Sequence, residues 1–188
     1  MRKTFVVLMT IIAGCTSSTT IEEEIKKMKE SPFRLPLTEM TFVDVGSSSR
    51  LQTDRTEYSI VVYCDTMDCS KCYIDNLFLW NELIEWESKY DNLSFLFIIE
   101  ARQFESQSLR KLLLNSGLKH SVYIDEKHLF RKSNPHLPDN LMLHVFMLNK
   151  KNDVILVGSP LHNEKMEMLY KRTLANEWQN TEARESVL

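Results

Sequence analysis

The chain has 188 residues, a formal net charge of −3 and 43% hydrophobic residues, which suits one domain with its own core plus a targeting segment. There is no basic stripe to invite nucleic acid, and four Gly and five Pro exclude long disordered or collagen-like tracts. Four Cys are too few to staple a fold of this size.

Arg2 and Lys3 precede an apolar run from Phe5 to Ala13 that only Thr10 interrupts. The run is too short to span a bilayer as a mature helix and fits the core of an export signal. It ends in Ile12-Ala13-Gly14-Cys15, which resembles the lipobox of bacterial lipoproteins. The resemblance implies a signal peptide over 1–14, cleavage before Cys15 and lipidation of Cys15. The alternative is an ordinary secretory signal with a coincidental cysteine. Several acyl chains on one cysteine would anchor the chain stably, at about 0.8 kcal/mol per buried CH₂.

A polar tether, 16–20, leads to Ile21–Glu30, a charged segment. Its apolar residues Ile21, Ile25 and Met28 follow one thin helical stripe, which reads as a solvated spacer helix. Tether and spacer occupy 15–38, and the folded domain is expected over 39–188. Pro32 and Pro36 break any helix.

Glu39–Val45 reads as a short strand, 46–49 as a loop, and Leu51 as part of a ragged second strand. Tyr58–Cys64 is a nearly unbroken apolar strand, which suggests burial on both faces. After a polar turn, Cys69-Ser70-Lys71-Cys72 opens a long amphipathic helix through Leu77, Trp80, Leu83 and Trp86, with Phe78 at its core or rim. Leu93–Ile99 is a second buried strand. Phe104–Asn115 is a helix with Leu109, Leu112 and Leu113 inward and Gly117 as its stop.

Ser121–Ile124 is a strand, and Asp125 can cap a short helix around Lys127–Arg131. Residues 134–140 form a loop and Leu141–Leu148 a strand. A hairpin turn over Asn149–Asp153 then leads to a partner strand, Val154–Val157. A final helix runs from about Asn163 to Ala175, with a frayed polar tail. Helices alternating with buried strands, then a tight hairpin, predict an α/β fold with a mixed central sheet flanked by helices.

A Cys-x-x-Cys pair at a strand-to-helix junction in this order resembles the thioredoxin-like fold. The likeness covers about Glu57–Leu174 and is carried by Val62-Tyr63-Cys64-Asp65, Cys69-Ser70-Lys71-Cys72, Phe95-Leu96-Phe97-Ile98, Tyr123-Ile124-Asp125-Glu126 and Val145-Phe146-Met147-Leu148. With the lipobox, the chain is similar to the thioredoxin-like lipoproteins of Bacteroidetes envelopes, relatives of periplasmic thiol-disulfide oxidoreductases. The resemblance implies a lipid-anchored, periplasm-facing protein of the bacterial cell envelope. It would exchange disulfides with exported proteins and be reset by a membrane redox partner.

In that chemistry a thiolate attacks a disulfide, and a helix N-terminus favours the thiolate. Cys69 would be the nucleophile and Cys72, one turn on, the resolving thiol. Lys71 supports a thiolate and Asp68 opposes it. A static disulfide, half a zinc site completed by Cys64 or a His, and an inert remnant are the competing readings. Zinc lacks a second pair or Cys₂His₂ spacing. The counterpart of the enzyme is therefore a redox-inactive binding or accessory lipoprotein with a structural cysteine pair.

Cys64 reads as core, and His120, His128, His136, His144 and His162 read as surface residues on different elements. No phosphate loop, Ser-His-Asp order or His-Glu-x-x-His motif calls for a cofactor or a metal.

The chain departs from common thioredoxins at several positions. Asp68 stands where a Trp is usual, and Ser70-Lys71 where Gly-Pro is frequent. Tyr63 stands where a buried carboxylate is expected, leaving Glu100 or Asp65 to replace it. Leu143-His144 stands where a cis-proline is expected, so a trans peptide is predicted there.

Overall fold

The computed structural model describes residues 20–46, 56–65, 70–90, 92–101, 106–161 and 163–185; the side chains of 70–72 and of 176–185 fall outside that description. The expected signal segment and Leu51 also lie outside the described residues.

Six strands form one mixed sheet: β1 (Thr41–Val43), β2 (Tyr58–Cys64), β3 (Leu93–Glu100), β4 (Val122–Asp125), β5 (Val145–Asn149) and β6 (Val154–Val157). The spatial order is β1-β4-β3-β2-β5-β6. β2, β3 and β4 run parallel, whereas β1 pairs antiparallel with β4, β5 with β2, and β6 with β5. β2 is thus internal, and all seven of its residues are buried, as its unbroken apolar run predicts. The expected mixed sheet flanked by helices is the observed architecture.

Helices α2 (Ser70–Asp75), α3 (Asn81–Ile84), α4 (Trp86–Lys89), α5 (Ser106–Leu114) and α7 (Glu164–Glu185) belong to one side of the sheet. There Ile60, Val62 and Cys64 pack with Leu77, Trp80, Trp86, Leu113 and Tyr170. On the other side Val61 and Tyr63 pack with Met28 of α1 (Ile21–Met28), Phe33, Phe146 and Phe130 of α6 (Leu129–Ser133).

Several expectations change. The long helix after the cysteine pair is broken into α2, a 3-10 turn over Leu77–Trp80, α3 and α4. Residues 77, 80, 83 and 86 recur every three positions, which is the 3-10 period. Leu77 and Trp86 are about two and a half α-helical turns apart and would face opposite ways on one straight helix. Breaking the helix buries both.

Leu112 is partly exposed at 37%, because Leu109 and Leu113 already share the inward stripe. β5 starts at Val145 rather than Leu141: Asn140 Oδ1 accepts the Met142 N–H at 3.2 Å and holds 141–143 in a 3-10 turn. α7 continues past Ala175 to Glu185, since no Gly or Pro stops it.

α1 forms with a capping box between Thr20 and Glu23, but it is more than a solvated spacer, because Met28 is fully buried. Asn134 holds the strap behind it, accepting from Arg34 N at 2.7 Å and donating to Arg34 O at 2.9 Å. Gly46, just after β1, passes so close to Lys119 that a Cβ would meet its backbone at 2.6 Å. Among the described residues, no helix is long and apolar enough to cross a membrane.

Candidate functional site at the carboxyl ends of the parallel strands

In open α/β sheets, ligands gather outside the carboxyl ends of the parallel strands. Here those ends are Cys64, Glu100 and Asp125. The cysteine pair belongs to this end by chain order. β2 stops at Cys64 and α2 is described from Ser70 to Asp75, so Cys72 is helical and Cys69 falls in the chain between the strand and these helical residues. Cys15, Asp68 and Cys69 lie outside the described residues, and of Lys71 and Cys72 only the helical backbone is described. Cys64 is buried in the apolar layer, as expected of a core residue.

A polar cluster fills the same end on the opposite face. Tyr63 is 2% exposed, and its hydroxyl donates to Glu100 Oε1. Burial, reinforced by the Glu100 carboxylate, holds the Tyr63 phenol well above its ordinary range. Glu100, 4% exposed, meets His128 Nδ1 at 3.0 Å through its other oxygen. A carboxylate only accepts, so Nδ1 donates to it. The His128 side chain is 39% exposed, so the chain Tyr63–Glu100–His128 runs from core to solvent.

His128 is placed by an unusual backbone. It is in the left-handed region, φ 55°, directly before α6. Asp125 makes this possible: its carboxylate accepts the Leu129 N–H at 2.9 Å and the Phe130 N–H at 2.7 Å, the cap expected from sequence. α6 then delivers Arg131, which bonds Asp65 Oδ2 at 3.0 Å and Asp139 Oδ1 at 2.7 Å. Its guanidinium lies 5.9 Å from the centre of the Tyr63 ring. Both carboxylates named as replacements for the one missing at 63, Glu100 and Asp65, are therefore buried here.

His144 completes the cluster. It immediately precedes β5, and its carbonyl accepts the Tyr63 N–H at 3.0 Å. Nε2 donates to Pro138 O at 2.9 Å, and Nδ1 is buried without a partner among the described residues. Burial pushes its pKa down, with Arg131 adding to the effect while the Pro138 carbonyl, Asp65 and Asp139 oppose it. The peptide entering His144 is trans, as expected.

The surface reading of the histidines is corrected at two positions: His144 is 2% and His120 6% exposed. Both rings find acceptors inside, His120 at Glu87 and at the Ser121 carbonyl. His162 lies outside the described residues. The roles of His128, Arg131, Asp139 and His144 had no sequence signal, because they converge from separate loops and helix starts. Among the described residues, no three His, Cys, Asp or Glu are grouped to hold a metal ion.

No family model matches the chain, and no curated protein matches it. Solved structures similar to it are thioredoxin-like. A thioredoxin-like protein solved in solution in its oxidised form is 15% identical, covering 79% of this chain and 95% of that one, with a TM-score of 0.48. An uncharacterised thioredoxin-like protein from Porphyromonas gingivalis is 17% identical over 64% of this chain and 77% of its own, with a TM-score of 0.45. The thioredoxin domain of a thiol-disulfide oxidoreductase from Bacteroides vulgatus is 10% identical over 73% and 97%, with a TM-score of 0.45. The fold is thioredoxin-like by its own topology: an internal strand leading into the Cys-x-x-Cys helix, a parallel neighbour, and an antiparallel hairpin followed by a helix.

Proposed function

We propose that the chain is a thiol-disulfide oxidoreductase of the bacterial cell envelope, lipid-anchored at Cys15, that exchanges disulfides with exported proteins through Cys69 and Cys72. The observation that carries this reading is the start of α2 at Ser70, directly behind the internal strand β2. In the chain Cys69 comes just before these helical residues, and the unpaired N–H groups of a helix's first turn stabilise a thiolate.

The Cys69 thiolate attacks a client disulfide, forming a mixed disulfide and expelling one client sulfur, which takes up a proton. The Cys72 thiol gives up its proton and attacks the Cys69 sulfur, releasing the second client thiol. The client gains two electrons and the pair becomes a disulfide, which a membrane dithiol partner reduces again. Run backwards, the same steps oxidise a client. Lys71 favours the thiolates and Asp68 opposes them.

A second reading is a redox-inactive accessory lipoprotein with a structural pair. It is favoured by the buried His144 at the entrance to β5, where a proline would shape a substrate loop.

The two separate in a glutathione series followed by maleimide trapping and mass measurement. The enzyme gives a reversible two-electron couple, Cys69 alkylated first, and mixed disulfides captured by Cys72→Ser. A couple that stays oxidised until the protein unfolds overturns the enzymatic reading.

A further inference from the structure

On the α2 side of the sheet, a groove of about 520 Å³ lies between the 3-10 turn Leu77–Trp80 with α3 and the loop entering α7. That volume suits one or two large side chains rather than a water cluster. Phe78, Leu83 and Leu161 give it apolar walls, and Phe78 is 47% exposed between the buried Leu77 and Trp80. Three carboxylates, Glu82, Glu164 and Glu167, line it as well. Glu167 is bridged by Lys171 at 2.6 Å, whereas Glu82 and Glu164 enter no ion pair among the described residues. The groove thus joins an exposed aromatic ring to uncompensated negative charge.

Its position is set by topology. β6 is antiparallel to β5, which is antiparallel to β2, so β6 points the same way as β2. The loop after Val157, which supplies Leu161, therefore lies at the same end of the sheet as Cys64, while Asn81, between the groove residues Phe78 and Glu82, bonds Gly117 O and Lys119 N in the loop entering β4, so the groove extends along the helix layer away from that end.

We infer that this groove docks a polypeptide segment in which a bulky apolar side chain is flanked by lysine or arginine. The apolar side chain displaces water from Phe78, Leu83 and Leu161, and the flanking cations meet Glu82 and Glu164. The use of such a segment rests on the proposed function: it would hold an exported client on the helix layer that follows the cysteine pair in the chain. The docking itself does not need the pair to turn over.

The test uses the full chain with Cys69→Ser and Cys72→Ser, so that binding is read without exchange. Fluorescence anisotropy follows a labelled peptide carrying Lys-Leu-Phe-Lys, a control with Glu for both Lys, and a control with Ser for Leu and Phe. Each control is expected to bind at least tenfold more weakly. Glu82→Lys with Glu164→Lys, checked for an unchanged melting temperature, should weaken the basic peptide at least tenfold and strengthen the acidic one. Equal affinity for the three peptides, no binding up to millimolar peptide, or no response to the charge reversal overturns the inference. So does a dimer in sedimentation that the charge reversal dissolves, since the groove would then be filled by a second copy. Because the cysteines are absent from this assay, a null redox titration and a null peptide titration are separate results.

Discussion

Along β2, residues 60, 62 and 64 face a mainly apolar layer, with the largely buried His120–Glu87 pair at its Phe97 side, whereas 61, 63 and the following 65 pass from valine to a bonded phenol to an ion-paired carboxylate. The first face is stabilised by burial: Trp80 sits edge-on to Phe97 at 5.9 Å, with Phe95 stacked beside it. The second face begins as core and ends as a network of Tyr63, Glu100, His128, Asp65 and Arg131. Buried charge is weak evidence for stability, because desolvation offsets much of its attraction. The difference teaches that one sheet can carry most of its aromatic packing on one face and a hydrogen-bonded polar network on the other, at the carboxyl ends of its parallel strands.

The largest expected effect breaks the apolar face. Phe97→Ala should cost about 3–5 kcal/mol, read as a lower urea midpoint at unchanged slope. A loss under about 1 kcal/mol would mean that the aromatic layer is not the main support.

Next, Glu100→Leu leaves the buried Tyr63 hydroxyl without its acceptor and should cost about 1–3 kcal/mol. Combining it with Tyr63→Phe should recover part of that loss, giving a coupling of about 0.5–3 kcal/mol in the double-mutant cycle. Additive losses would show that the two faces differ less than the geometry indicates.

Alkaline titration sharpens the same contrast. Folding raises the Tyr63 phenol above its unfolded value of 10.0, so its contribution is complete below pH 10 and is lost as pH rises beyond it. Tyr63→Phe should flatten that alkaline decline. Tyr170, fully buried on the other face and hydrogen-bonded to Gly158 O, is also shifted upward by burial, and Tyr170→Phe measures its share.

The smallest effect is expected at acid pH, since opposing groups surround His144. Folding lowers its pKa below 6.5, so the unfolded chain takes the proton first; stability is complete above pH 6.5 and falls below it. His144→Gln should reduce the acid slope of a urea-midpoint titration, and an unchanged slope would assign the decline to other groups.

Much of the fold was legible because it is local. Tyr58–Cys64 and Val154–Val157 were read at their observed bounds, since an apolar run between turn residues leaves little choice. The Asp125 cap was legible too, because cap and helix are neighbours in the chain. The break in the helix after the cysteines is hidden in a simple apolar count, because a spacing of three drifts around an α-helix and only the packing of both Leu77 and Trp86 forces the break. His120 and His144 were misread because burial of a polar ring depends on acceptors that distant segments bring.

The sequence by itself determined the strands, the alternation with helices, and a Cys-x-x-Cys pair at a strand-to-helix junction, because periodicity and adjacency are properties of short segments. Only the tertiary structure decided that Tyr63 would find Glu100, that His128 would be turned outward by a left-handed backbone, and that Arg131 would join Asp65 to Asp139. Tyr63 and Glu100, Glu100 and His128, and Arg131 and Asp65 are tens of residues apart in the chain. Only the packing of the parallel strands, with their ends in line, brings such groups within hydrogen-bond reach.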